Sequence, residues 1–383
     1  MEQQLDVLLL SAGYGEGHHQ AARAIQENLQ RIWPGCQITM MDYLEYIPDF
    51  IGQATVGLYK AMSKHSPWMY AGVYHLTSQI AGMWGWSHIE YSLGRRHLRH
   101  LIQTVYPKVI ICTHPLPMAV LSTMRRQNEK VPPVFGVVTD YVLHGEWIQS
   151  DLDRYYVPTR RMQQQLSEHG IDSKRIIVSG IPVREAFSET IDTHAARAAL
   201  NWPDVPTVLF LSSALGTLGG VVEACQELLL SREYFRLVVI CGRDTTLAEK
   251  LRQLIAKDTF HPIEVLGYVH NIADYMRASD IIVTKAGGIT LSEALSLQRT
   301  IVIYRPIPGQ ESGNSRWAAQ RGAVVIAKTP ETLCEQIETL LANDALRITL
   351  STRAGHLAKP HAARRIASDA CEAAGKINRM TRN

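Results

Sequence analysis

Short, nearly unbroken apolar runs recur along this chain, and most are followed by a polar or small-residue turn and then a segment with helical spacing. The run over residues 5–10 is interrupted only by Asp6 and reads as a buried parallel strand. Ala22, Ile25, Leu29 and Ile32 then fall on one face of a helix that stops at Pro34-Gly35. Further strands are predicted over residues 38–41, 109–112, 134–139, 155–157 and 176–178. Pro182 and the polar run 188–199 mark a boundary, and a second series follows over 208–211, 237–240, 263–266, 281–283, 301–303 and 324–326. Strands alternating with helices predict two α/β domains with doubly wound parallel sheets. The expected division is a first domain over 1–185, a linker over 186–205, a second domain over 206–358 and a tail over 359–383 that packs back on the first.

Composition adds exclusions. A chain of 383 residues with 46% hydrophobic and 20% charged residues has the makeup of a globular protein with full cores. Its net charge of +3 gives no electrostatic footprint for nucleic acid. The six cysteines, at 36, 112, 225, 241, 334 and 371, contain no Cys-x-x-Cys and no zinc-ligand spacing, so a reducing compartment is expected. Met1-Glu2-Gln3-Gln4 lacks a basic n-region, so no secretory signal is expected.

The segment from Tyr43 to Leu101 differs from the rest. Between Lys64 and Glu90, twenty-five residues contain no Asp, Glu, Lys or Arg but include Trp68, Tyr70, Tyr74, Trp84 and Trp86. Arg95, Arg96, His97, Arg99 and His100 follow. Aromatic rings beside cations suit a membrane interface carrying anionic lipid. A helical excursion packed into its own domain, or a dimer contact, fits the same composition.

Candidate chemistry lies where strands end. Gly13-Tyr14-Gly15-Glu16-Gly17-His18-His19 follows the first strand, but its Gly-x-Gly-x-Gly spacing departs from the dinucleotide fingerprint. A cofactor loop has no need of an imidazole, whereas a loop that takes a proton from a hydroxyl does, which singles out His18. His114, Asp140, His144 and Trp147 also follow strands, and in an open parallel sheet such residues converge on one rim. In the second domain, Thr284-Lys285-Ala286-Gly287-Gly288-Ile289-Thr290-Leu291-Ser292-Glu293-Ala294 reads as strand, glycine turn and helix. The glycines and the helix start suit a diphosphate, with Thr290 and Ser292 as extra hydroxyl donors. Glu293 has the wrong charge for phosphate but suits the paired hydroxyls of a ribose. The polar run Arg305 to Asn314 is rich in groups that grip a sugar.

Together, Gly13 to His18, Val138-Thr139-Asp140 with His144 and Trp147, Gly180-Ile181-Pro182-Val183-Arg184, Thr284 to Ala294, and Pro308-Gly309-Gln310-Glu311 with Asn314 resemble the bacterial processive diacylglycerol glucosyltransferases and the plant monogalactosyldiacylglycerol synthases. More distantly the chain is similar to the lipid-linked N-acetylglucosaminyltransferase of peptidoglycan synthesis. The resemblance covers most of the chain. It implies the GT-B fold, two Rossmann-like doubly wound domains facing a central cleft, and an inverting transfer of sugar from UDP-glucose or UDP-galactose to diacylglycerol. Under it His18 is the base or orients the acceptor hydroxyl, and Asp140 orients or charges that histidine.

On the donor side the resemblance assigns Gly287, Gly288 and Thr290 to the diphosphate, Glu293 to the ribose, Gln310 and Glu311 to the sugar with Asn314 beside them, and Tyr268 with its neighbours to the uracil. Ser213 and Gly216 fall in the donor-side loop, although Ser213-Ala214-Leu215-Gly216 carries less glycine than relatives have, and Ala286 stands where many have proline. On the acceptor side it assigns Gly15, Gly17, His114, His144 and Trp147, with Trp68, Trp84, Trp86, Arg95, Arg96 and Arg99 at an anionic membrane surface. It further implies a peripheral, monotopic protein on the cytoplasmic leaflet, with no cofactor, no essential metal and no nucleic acid partner. Transfer of N-acetylglucosamine to an undecaprenyl-linked acceptor, a UDP-N-acetylglucosamine epimerase, and a non-catalytic UDP-sugar sensor docking on membrane are the competing readings. Glu311 argues against the first, the aromatic segment against the second, and His18 against the third.

Overall fold

Strands form where the apolar runs lie, and only at two strand ends does the chain depart from that pattern in a way that bears on chemistry. The computed structural model describes residues 5–13, 15–46, 87–189, 192–212, 218–255 and 260–375. In chain order the elements are β1 (Val7–Ser11), α1 (Glu16–Ile32), β2 (Ile38–Asp42), α2 (Ser87–Val105), β3 (Val109–Cys112), α3 (Pro115–Arg126), β4 (Val134–Val137), β5 (Arg154–Val157), α4 (Arg160–Glu168) and β6 (Ile176–Val178). Then come α5 (Thr193–Ala199), β7 (Thr207–Leu211), α6 (Val221–Leu228), β8 (Arg236–Ile240), α7 (Thr245–Ile255), β9 (Ile263–Leu266), α8 (Ile272–Ala278) and β10 (Ile281–Thr284). The series closes with α9 (Gly288–Ser296), β11 (Thr300–Tyr304), α10 (Gln310–Ala319), β12 (Val324–Ala327), α11 (Pro330–Ala342), α12 (Asp344–Leu357) and α13 (Ala362–Ala373).

Two units result. The first holds the described residues up to Glu185 and those from Lys359 onward, and the second is Ala186–Ala358. Each contains a six-stranded sheet, in the orders β2-β1-β3-β4-β5-β6 and β12-β11-β10-β7-β8-β9, and every strand pair is parallel. Strand order reverses between β1 and β3 in the first sheet and between β7 and β10 in the second. At such a switch point the flanking crossovers leave the sheet on opposite faces and open a crevice at the strand ends.

Strand positions alternate between two apolar layers in the first unit. Leu8, Leu10, Ile110, Cys112, Val134 and Tyr155 pack with residues of α2 and α3. Val7, Leu9, Val109, Ile111, Phe135 and Tyr156 pack with Ile25 and Leu29 of α1 and with Ile366, Ala367, Ala370 and Cys371 of α13. Helix α13 lies beside α1. Its Asp369, also buried, accepts from Tyr156 Oη at 3.0 Å and pairs with Arg154 and Arg365 at 3.3 and 3.1 Å. Burying that carboxylate is tolerable because two cations and a hydroxyl converge on its Oδ2.

The two strand ends that differ from the sequence reading are those of β1 and β4. Residues 5 and 6 lie outside β1: Asp6 accepts Gln37 N–H at 2.9 Å and pairs with Lys108 at 2.7 Å. An acid within an apolar run thus serves as a bracket at the strand's entrance. Strand β4 stops at Val137, so Thr139 and Asp140 belong to the following loop and turn toward the first unit's switch point. Trp68, Trp84 and Trp86, with most of the aromatic segment, lie outside the described residues, as do Ser213 and Gly216.

Ile366 is fully buried in the layer shared by α13 and the sheet. We expect Ile366→Ala to destabilise the first unit by about 2–5 kcal/mol, the range for deleting a buried branched side chain. Hydrogen exchange should show amides of β1, β3 and α13 losing protection together while those of β10 and β11 keep theirs.

Candidate active site

His18 sits inside a helix and not in the glycine loop where the sequence reading placed it. Helix α1 begins at Glu16 with Gly15 as its N-cap, so Gly17 and His18 both lie in the first turn. Gly15 is extended, and among the described residues none approaches within 4 Å of its absent Cβ. Gly13 has the opposite constraint, since a Cβ there would meet Asp42 Oδ2 at 2.6 Å. Asp42, at the end of β2, accepts Gly13 N–H at 3.1 Å and Leu44 N–H at 2.9 Å, and lies 3.4 Å from His19 Nε2. Burial pushes the Asp42 carboxyl up, but the His19 contact and these amides outweigh it and hold it below its usual value. A carboxylate built into the loop repels phosphate, so this glycine pattern is no nucleotide cradle.

The His18 ring is held by residues that follow two other strands, β3 and β4. Its Nδ1 lies 2.8 Å from the Thr113 carbonyl and 3.0 Å from Thr139 Oγ1. A carbonyl can only accept, so Nδ1 carries the hydrogen and the neutral ring keeps its lone pair on Nε2. Thr113 returns the contact by donating its hydroxyl to the His18 carbonyl at 3.0 Å. Burial lowers the imidazole's pKa most, His19 lowers it further, and Asp140 and the Thr113 carbonyl raise it; the net direction is down. The positive end of α1 also disfavours imidazolium. The outcome is a neutral imidazole, fixed in orientation, with a basic nitrogen.

The other residues placed at this rim do gather there. The His114 ring packs edge-on to His18 with centroids 4.6 Å apart, and Trp147 lies 6.3 Å from His18. His114 Nδ1 accepts Leu116 N–H and so caps α3, and burial drives its pKa well below the usual range, helped by His18 and His19. His144 caps the short turn Gly145–Trp147 by accepting Glu146 N–H. Tyr155, on β5, pins that turn: its hydroxyl accepts Gln149 N–H at 2.8 Å and lies 3.0 and 2.7 Å from the Trp147 and Gln149 carbonyls. Asp140 is buried and acts on His18 through its charge, one of the two roles the sequence reading offered for it, while Thr113 and Thr139 hold Nδ1.

In the second unit, α9 begins at Gly288, with Gly287 as an N-cap that supplies no side-chain hydrogen bond. The first-turn N–H groups are those a helix leaves without an intrahelical acceptor, and they lie beside the switch between β7 and β10. Glu293 is buried in the second turn. Ser292 donates its hydroxyl to Gly288 O at 2.7 Å, within the helix, and Thr290 is half-buried. On α10, Glu311 is paired with Lys285 at 2.7 Å and accepts Ile307 N–H at 3.3 Å. Asn314, fully buried, donates to Ala286 O at 3.0 Å, and Gln310 opens the helix half-buried. Tyr268 is 40% exposed, with Arg243 5.3 Å above its ring and His270 edge-on.

The basic cluster on α2 is less available than its sequence suggests. Arg95 and Arg99 both pair with Glu129, while Arg96 is exposed. Glu129 reaches them across a chain reversal that no local pattern shows. Among the described residues no helix is long and apolar enough to cross a membrane, and no cluster of His, Cys, Asp or Glu has metal-ligand geometry.

The chain matches known proteins over nearly its whole length. The profile described as monogalactosyldiacylglycerol (MGDG) synthase matches residues 18–183, and that of the glycosyltransferase family 28 C-terminal domain matches 213–366. A processive diacylglycerol beta-glucosyltransferase of Bacillus subtilis (strain 168) is 32% identical over 340 residues, 88% of this chain and 87% of the relative. Its namesake in Bacillus pumilus (strain SAFR-032) is 31% identical over 369 residues, 96% of this chain and 94% of the relative. Among solved structures, Acinetobacter baumannii MurG superposes with a TM-score of 0.63 at 15% identity, covering 96% of this chain and 99% of that one. S. aureus MnaA with UDP gives 0.65 at 13% identity over 98% of both chains. Two Rossmann-like units of this kind are the GT-B fold.

The environment of His18 has a measurable consequence. Its imidazole is expected to titrate below the ordinary value of 6.5 in a nitrogen-15 NMR titration. Because Asp140 favours the charged ring, Asp140→Asn should move that titration to still lower pH; a move upward would contradict the electrostatic role given to Asp140.

Proposed function

Because this chain belongs to the family of processive diacylglycerol glucosyltransferases and monogalactosyldiacylglycerol synthases, and is a UDP-sugar-dependent glycosyltransferase, we propose that it moves glucose from UDP-glucose to the free hydroxyl of diacylglycerol. The observation that carries the chemistry is the neutral His18, with Nδ1 held by Thr113 and Nε2 left basic. The acceptor hydroxyl gives its proton to Nε2 while its oxygen attacks the anomeric carbon. The bond from that carbon to the β-phosphate oxygen breaks on the opposite side, and its electron pair leaves with UDP. Inversion follows from this single displacement; the relatives' beta-glucosyl name agrees with it, since UDP-glucose carries the α linkage. Galactose is the second choice of donor sugar.

In this reading Gly287, Gly288 and Thr290 at the start of α9 receive the charge that develops on the diphosphate. Glu293 takes the ribose hydroxyls, Gln310 and Glu311 take the hexose with Asn314 holding their helix in place, and Tyr268 flanks the uracil. Ser213 and Gly216 complete the donor side, and no metal is required. Gly15, Gly17, His114, His144 and Trp147 shape the acceptor side around His18, and Asp140 tunes its charge. Trp68, Trp84, Trp86 and Arg96 meet an anionic membrane surface on the cytoplasmic leaflet, with Arg95 and Arg99 contributing less because Glu129 balances them. The protein is then peripheral and has no nucleic acid partner.

The test is a transfer assay with radiolabelled UDP-glucose or UDP-galactose and diacylglycerol in anionic vesicles. A labelled glycolipid from UDP-glucose is the expected product. His18→Ala should lower turnover about 10²–10⁴-fold, the usual worth of a positioned base, and leave UDP affinity unchanged. Undiminished turnover would remove His18 from the mechanism. UDP binding without product from either donor would favour an undecaprenyl-linked acceptor or a sensor.

A further inference from the structure

Two side chains of α10 fasten the loop between β10 and α9. Lys285 Nζ lies 2.7 Å from Glu311 Oε1, and Asn314 Nδ2 donates to Ala286 O at 3.0 Å. Glu311 and Asn314 are three residues apart on one helix face, so they meet successive residues of the facing loop. Glu311 is only 8% exposed, and its second oxygen accepts the Ile307 N–H at 3.3 Å. A carboxylate so buried is costly unless both oxygens find donors. Here one donor comes from the loop before α9 and the other from the loop before α10. Each oxygen keeps a second lone pair whose direction is set by the first contact. The Lys285 arm runs beside Gly287, its Cε 3.9 Å from where a Cβ would stand, so the same residue borders the start of α9.

We propose that Lys285 is a positioning residue for the donor hexose, acting through its ion pair with Glu311 to set the sugar-reading carboxylate against the phosphate-binding loop. This role rests on the proposed donor site and goes beyond it, because it acts through Glu311 and gives Lys285 no contact of its own with the sugar. In that reading, of the two elements that the pair fastens, UDP alone engages only the one that opens α9, whereas UDP-glucose engages both at once. Loss of the pair therefore affects the nucleotide sugar and spares the nucleotide. An arginine retains both the charge and the donors needed to hold the carboxylate.

Calorimetric titration of the full chain with UDP and with UDP-glucose tests this. Lys285→Met should raise the dissociation constant for UDP-glucose at least tenfold and change that for UDP less than threefold, with Lys285→Arg restoring most of the loss. In a Glu311→Gln background, where the ion pair is already absent, Lys285→Met should change UDP-glucose affinity less than threefold. Equal losses for UDP and UDP-glucose would overturn the proposal and make Lys285 a phosphate ligand or a general structural support. An undiminished effect of Lys285→Met in the Glu311→Gln background would overturn it too. Failure of the unaltered chain to bind either nucleotide would defeat the donor-site reading itself, and the positioning role with it.

Discussion

A parallel sheet sends the carboxyl end of every strand to the same edge, and the chemistry of this protein depends on that constraint. In the first unit it brings the residues after β1, β3 and β4 to one rim although long stretches of chain separate them. In the second it places the glycine turn after β10 beside the point where strand order reverses. No single loop holds a complete site. His18 comes from the first turn of α1, its orienting partners from the ends of β3 and β4, and its aromatic neighbour from a turn pinned by β5.

The state of the His18 ring follows from an asymmetry in peptide chemistry. A backbone carbonyl cannot donate, so its contact with Nδ1 settles which nitrogen is basic without any titration of the partner. An Asp in that place would hold the ring equally well but would favour imidazolium strongly. Asp140 adds its charge to the carbonyl contact and opposes part of the burial effect, yet the net direction for the ring remains down and the base stays neutral.

Much of this was legible in the sequence because the signals are local. Continuous apolar runs mark buried parallel strands, glycine turns mark strand-to-helix junctions, and an imidazole after the first strand stands out against a nucleotide loop. What could not be read depends on partners far away in the chain. The Thr113 carbonyl and the Thr139 hydroxyl lie 95 and 121 residues from His18, and although their neighbours His114 and Asp140 stand out after strands, no local pattern shows that these two groups meet its ring. Arg95 and Arg99 looked like cations waiting for lipid because Glu129, about thirty residues on, enters no helical or alternating pattern with them. The start of α1 was placed too late for another reason: Gly15 and Gly17 resemble loop residues, yet the first turn of a helix tolerates glycine well.

Helix α13 completes the apolar layer over β1, β3 and β4, yet it is encoded after the whole of the second unit. A ribosome delivers a chain from its amino end, and domains generally fold as they emerge. The second unit is contiguous and has all its strands available before residue 359 appears. The first has only α1 over that face of its sheet until then. A unit whose strands all precede the second is thus sealed by a helix that follows it, and its folding is tied to the passage of the whole intervening unit.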